Sequence, residues 1–329
     1  MTRNQDMGRR AAAVLCVAAA LLGPGSPAGA SARPPGAGPV YVADLNSDTV
    51  SVVDARTGRV VDAVPVGRGP DSVAVSPDGS RVYVTNSAED TVSVVDARTR
   101  TVVATVAVGD EPSRVTVSPD GRRVYVADVG SDEVSVVDAR TLAVTDTIAV
   151  GDAPLGVAVT ADGRTLYVAN AGSGTVSVVR TATGRVTGTV RVGGGPTALV
   201  LTPDGRSLYV SNLTTDDVSV VDVHRGMETD RIPVGKQPAG IGVRPDGRRV
   251  YVADIGSDAV SVISTRTRAV TATVAVGHGP NGLAVGPDGT RVYVSDFDSD
   301  TLSVIDARTD RVRRTVTVGD GPTGVAVAP

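Results

Sequence analysis

The 329-residue sequence predicts an all-β fold: a seven-bladed β-propeller with four antiparallel strands in each 42-residue blade. Three observations carry that expectation. Tyrosines recur at 41, 83, 125, 167, 209, 251 and 293, each 42 residues after the last. Glycines from Gly67 to Gly319, prolines from Pro70 to Pro322 and serines from Ser51 to Ser303 keep the same interval, without one insertion. The composition is that of strands and turns rather than helices: no Trp, one Phe, 38 Gly, 20 Pro, and valine dominant among the apolar residues.

Residues 1–30 are a different kind of sequence. Arg3, Arg9 and Arg10 precede an apolar stretch from Ala11 to Leu22, and Ala28-Gly29-Ala30 follows. A basic region, a short apolar core and an A-x-A site read as a secretory signal peptide, with Arg9-Arg10 leaving a twin-arginine route open. The apolar run is shorter than the roughly 20 residues that a membrane span needs, so no transmembrane segment is expected in the mature chain. Cys16, the single cysteine, falls in this leader. Residues 31–39 form a short linker, and 40–329 the propeller. The expected location is therefore secreted, extracellular or associated with the cell envelope.

Within one repeat the strands are predicted at Val82–Val84, Val92–Val95, Val102–Val108 and Val115–Val117. The loops between them are rich in Asp, Asn, Ser, Gly and Pro, and Ser118-Pro119-Asp120-Gly121 is a hairpin signal. Runs this short cannot make useful helices. The inner strands lack apolar–polar alternation because blades stack on both of their faces. Each Tyr, flanked by valines, is expected to be wedged between blades. The array opens on Val40-Tyr41, a second-strand motif, and closes on Gly324-Val325-Ala326-Val327, an innermost-strand motif. One blade should therefore combine both ends of the chain, leaving no unpaired closing edge.

The motifs Tyr83-Val84-Thr85-Asn86, Val92-Ser93-Val94-Val95-Asp96 and Ser76-Pro77-Asp78-Gly79 resemble the YVTN-type propeller repeats of bacterial and archaeal surface and secreted proteins. The resemblance covers the chain from about residue 36 onward and implies the fold rather than an activity. More distant propellers of similar kind include streptogramin lyases, lactonases and quinone-dependent dehydrogenase subunits.

In a four-stranded meander the loops after the Tyr strands and the Gly-x-x-Pro loops share one face, the top. The Asp-Gly and Asp-Ala-Arg-Thr turns share the other. By sequence the top carries nineteen acids against three bases, and the lower face twenty-one arginines against twelve acids. The net charge of −4 thus hides a two-faced disc, and it argues against nucleic acid as a partner. The most variable positions between repeats lie in the Gly-x-x-Pro loops around the channel mouth. They define a candidate ligand rim of Arg68, Asp71, Asp110, Arg114, Asp152, Lys236, His278, Asn281 and Asp320. A candidate calcium site is drawn from Asp296-Phe297-Asp298-Ser299-Asp300 and Asp44-Leu45-Asn46-Ser47-Asp48, with Asp44, Asp48, Asp296, Asp298 and Asp300 as ligands. Capping of each Asp's own turn is the competing reading. Gly277-His278-Gly279-Pro280-Asn281-Gly282 matches a dinucleotide fingerprint only formally, since no helix follows it.

Catalytic inventory is thin: two histidines, His224 and His278, no nucleophile elbow, and no cysteine in the mature chain. The first expectation is therefore a non-catalytic secreted or cell-surface binding or scaffold protein using the acidic top face. A monomer is expected, with an unidentified protein or cell-envelope polymer as partner. The alternatives are a propeller enzyme of the lyase, lactonase or quinone-dependent dehydrogenase type centred on His278, and a surface-layer structural protein.

Overall fold

The computed structural model describes residues 38–329; residues 1–30, expected to be a leader, and with them Cys16, lie outside the described residues. Twenty-eight strands, from β1 (Val40–Asp44) to β28 (Pro322–Val327), form seven four-stranded antiparallel sheets. This is the seven-bladed propeller. A typical blade runs outward from the channel as β4 (Pro70–Val75), β5 (Arg81–Asn86), β6 (Thr91–Asp96) and β7 (Thr101–Ala107). Three of the predicted runs sit within β5, β6 and β7, apart from Val108 just past the end of β7, and the fourth, Val115–Val117, lies in the innermost strand of the next blade.

Closure follows the expected route. In the first blade β28 is the innermost strand and pairs antiparallel with β1, Val40 opposite Val327 and Tyr41 opposite Ala326. Strands β2 (Thr49–Asp54) and β3 (Arg59–Pro65) complete that sheet. Ala328 N–H also donates to the Pro39 carbonyl. The last strand made is thus held in place by the first.

Burial falls with distance from the channel. In β4 and β5 nearly every residue is buried, whereas β7 exposes all but its middle and Val106. The core is correspondingly divided. Each of seven apolar clusters fills the seam between two blades: one packs Tyr83 and Val94 of the second blade against Val115, Val124 and Val126 of the third. The tyrosines are buried in these seams. Their rings supply the bulk that a chain without Trp must find elsewhere, because a seam between twisted sheets is too wide for valines alone.

Turn chemistry explains the polar repeats. In Ser76-Pro77-Asp78-Gly79 the Gly79 N–H donates to the Ser76 carbonyl with φ of +70°, a conformation that suits glycine. In Asp54-Ala55-Arg56-Thr57 the Asp54 carboxylate accepts the backbone N–H of Arg56 and Thr57 at 2.9 and 2.7 Å. No helix among the described residues is long and apolar enough to cross a membrane.

Candidate functional site

The top face is built first by a ring of strand ends. Each second strand finishes on Asp44, Asn86, Asp128, Asn170, Asn212, Asp254 or Asp296, all fully buried. The side chain turns back to a serine seven residues on: Ser51 Oγ donates to Asp44 at 2.7 Å, and Asn86 Nδ2 donates to Ser93 Oγ at 2.9 Å. The recurrent glycine of the Gly-x-x-Pro loop lies directly over this group. A Cβ on Gly109 would stand 2.7 Å from the Asp128 side chain, and Gly319 is pressed against Asp44 in the same way. Close approach is why that glycine recurs. Burial pushes the carboxyls up, to about 6 at Asp44 and Asp296 and about 7 at Asp128 and Asp254, against hydrogen bonds that pull them down.

A second set of acids bolts the loops together. Asp48, Asp90, Asp132, Asp216, Asp258 and Asp300 all adopt positive φ near 50–56°. Each accepts a backbone N–H from a Gly-x-x-Pro loop, as in Gly69 to Asp48 at 2.9 Å and Gly321 to Asp300 at 3.0 Å. The five carboxylates of the candidate calcium site therefore have separate surroundings. Asp44 and Asp296 are strand ends, Asp48 and Asp300 tie loops, and Asp298 lies beside Gly279. Among the described residues no group of three or more metal-ligating side chains is gathered that could hold an ion.

The nine rim candidates separate into two groups. Arg68, Asp110, Asp152, Lys236, His278 and Asp320 are exposed on loop tips. Arg68 pairs with Glu89 at 2.8 Å, and Asp320 accepts from Asn46 at 2.9 Å. His278 Nδ1 lies 2.9 Å from the Asp258 carboxylate; that bond and charge raise the imidazole above its ordinary value. Its side chain is 77 % exposed.

Asp71, Arg114 and Asn281 are instead buried, on innermost strands, β8 (Pro112–Val117) and β24 (Pro280–Val285) contributing the second and third. Asp71 belongs to a level of the channel wall one residue inside each innermost strand: Asp71, Ser113, Leu155, Thr197, Ala239, Asn281 and Thr323. Ser113 Oγ donates to Asp71 Oδ2 at 2.8 Å across the seam between two blades. Arg114 occupies the next level, where the other six blades hold Ser72, Gly156, Ala198, Gly240, Gly282 and Gly324. Small residues are demanded there, since a Cβ on Gly282 would stand 2.0 Å from the Thr323 carbonyl oxygen. Arg114 breaks this rule and is only 2 % exposed. Burial pushes the Asp71 carboxyl up to about 7, opposed by the Ser113 hydrogen bond and the Arg114 charge. Asn281 Oδ1 is buried without a hydrogen-bond partner among the described residues.

Buried carboxyls that accept from a serine also occur at the strand ends, but the guanidinium of Arg114 on the strand adjoining Asp71 sets this group apart from them. The family model described as lactonase, seven-bladed β-propeller, matches residues 32–197, 189–264 and 224–329. The chain belongs to that family. No curated protein is matched. Among solved structures, hydrazine synthase of Kuenenia stuttgartiensis is 27 % identical with a TM-score of 0.74, covering 81 % of this chain and 91 % of that one. Two provisionally assigned 6-phosphogluconolactonases share the fold at lower identity. The one from Bacteroides fragilis NCTC 9343 is 18 % identical, TM-score 0.77, over 91 % of this chain and all (100 %) of that one. The one from Bacteroides uniformis ATCC 8492 is 16 % identical, TM-score 0.74, over 88 % and 99 %.

Family membership overturns the expectation of a non-catalytic binding or scaffold protein. That expectation counted histidines, cysteines and nucleophile motifs. It weighed the rim carboxylates only as ligands or as companions of His278, because their reactivity depends on burial and on neighbours that only the assembled ring supplies. Asp71 was legible as a variable position and Arg114 as a rim candidate, but their partnership with Ser113 was not.

Proposed function

We propose that this protein hydrolyses a cyclic ester at the top of its channel, with Asp71 as general base and Arg114 as the electrophilic partner. The observation that carries the reading is the Asp71–Ser113–Arg114 group inside a chain of the lactonase propeller family. In this scheme the Asp71 carboxylate takes a proton from water as the water oxygen bonds to the ester carbonyl carbon. Arg114 balances the negative charge that forms on the carbonyl oxygen. Collapse breaks the ring C–O bond, the departing oxygen takes the proton back from Asp71, and a hydroxy acid leaves. Ser113 holds the base in place, and Asn281 offers a further polar contact to the ester. The repeats are of YVTN type on this reading, and residues 1–30 direct the protein out of the cytoplasm.

A panel of γ- and δ-lactones, followed by proton release, tests the proposal. Hydrolysis should rise with pH through about 7 as Asp71 ionises. Asp71→Asn should lower the rate by roughly 10²–10⁴-fold. Inertness towards every lactone, or full activity in Asp71→Asn, would sink it. His278 supports a second reading of the same activity, because the Asp258–His278 pair at the channel mouth resembles an oriented base. If that reading holds, His278→Ala abolishes the rate and Asp71→Asn spares it.

A further inference from the structure

We propose that the lower face of the disc docks on an anionic lipid bilayer, independently of any hydrolysis at the top. The two kinds of lower turn form concentric circles. Arg56, Arg98, Arg140 and Arg308 stand on the outer turns, and Arg122 and Arg164 on the inner ones. All six are exposed. Each lends its charge to the aspartate of its own turn, which that charge helps to hold below the ordinary carboxylate value, and each leaves its guanidinium open to solvent. The neighbouring carboxylates are turned in to their own backbones: Asp96 accepts the N–H of Arg98 and Thr99, and Asp120 accepts the N–H of Arg122. The carboxylates are therefore engaged by turn N–H groups while the guanidiniums stay exposed.

Geometry favours a planar partner over a thread-like one. The arginines occupy equivalent positions in successive repeats, so each circle of turns presents its charges at one height around the disc rather than along a groove. Attachment would be electrostatic, without insertion. Among the described residues the exposed large apolar side chains, Val60, Val61, Val102, Val103, Val144, Val186 and Met227, all lie on outermost strands, none on a lower turn. The opposite face carries the excess of acid and is repelled by the same surface. Docking would therefore leave the channel mouth pointing away from the membrane.

Vesicle flotation tests this with purified protein, vesicles containing phosphatidylglycerol, and vesicles of phosphatidylcholine alone. Binding is expected only to the first, at low ionic strength, and should be lost on adding salt. The triple variant Arg56→Gln/Arg98→Gln/Arg140→Gln should lower partitioning on the order of a hundredfold, each arginine contributing about fivefold. The top-face control Arg68→Gln/Lys236→Gln should bind like the parent. Circular dichroism of the triple variant establishes that it is folded. Equal binding to neutral vesicles, or undiminished binding by a folded triple variant, overturns the proposal. Retention on soluble polyphosphate with no vesicle binding also overturns it, and would make the face a polymer track.

Discussion

Asp128 occupies the position that Asn86, Asn170 and Asn212 fill in other blades, and the exchange says what the site requires. The group is buried beneath a glycine and faces a serine, so a neutral side chain fits it best. Its carboxyl is pushed up by burial from an ordinary value near 4 to about 7. The folded protein therefore binds this proton more tightly than the unfolded chain does. Its stabilising effect is complete below the unfolded value and is lost as pH rises from about 4 through 7. Asp254 behaves in the same way, and Asp44 and Asp296 do so with values near 6. Asp128→Asn should match the parent at pH 4 and exceed it at pH 8 by roughly 1–3 kcal/mol, as read from urea denaturation at both pH values. A variant less stable than the parent at pH 8 would refute the assignment of these carboxyls as asparagine equivalents.

Strands and loops are joined by devices that recur from blade to blade. On the top, Asp258 accepts from Gly279 N–H at 3.0 Å and holds the loop that carries His278. On the lower face an arginine opening the second strand reaches the carbonyl of the next blade's turn. Arg123 bonds Thr181 at 2.8 Å, Arg249 bonds Ala307 at 3.2 Å, and Arg81 and Arg291 reach Ala139 and Ala55. Pro39, Thr165 and Ser207 stand where the other three blades would place that arginine, so three seams lack the latch. Arg291→Ala removes the latch beside the closing blade and should cost about 1 kcal/mol, a drop in Tm of roughly 2–4 °C. Thr165→Ala, at an unlatched seam, should leave Tm nearly unchanged. Gly109→Ala tests the other device. Its Cβ would collide with Asp128, so a loss of roughly 2–3 kcal/mol is expected in thermal or denaturant unfolding.

At the scale of the whole molecule the ring stands or falls with its closure. Removing residues 322–329 would strip the first blade of β28, leaving the inner edge of β1 without its partner, though β1 still pairs with β2, and Val40 and Val42 exposed to water. Such a truncation should fail to give a monomeric protein with native near-ultraviolet circular dichroism, with aggregation visible in size-exclusion chromatography. The fold and this closure were legible in the sequence because they depend on a period: one tyrosine, one glycine and one proline at fixed intervals specify the same hairpins seven times. The candidate site was legible only as variation: Asp71 and Asn281 stand at a position that differs from blade to blade, and Arg114 interrupts a run of small residues that the other repeats keep. The two-faced charge was overstated for the top, where Asp44, Asp128, Asp254, Asp296 and Asp71 are buried carboxyls near neutrality. The sequence by itself thus determined the architecture, because backbone propensities and short-range turn chemistry act within a single repeat. Only the tertiary structure decided which polar residues meet, since Asp71 and Ser113 sit 42 positions apart and touch only when neighbouring blades close around the channel.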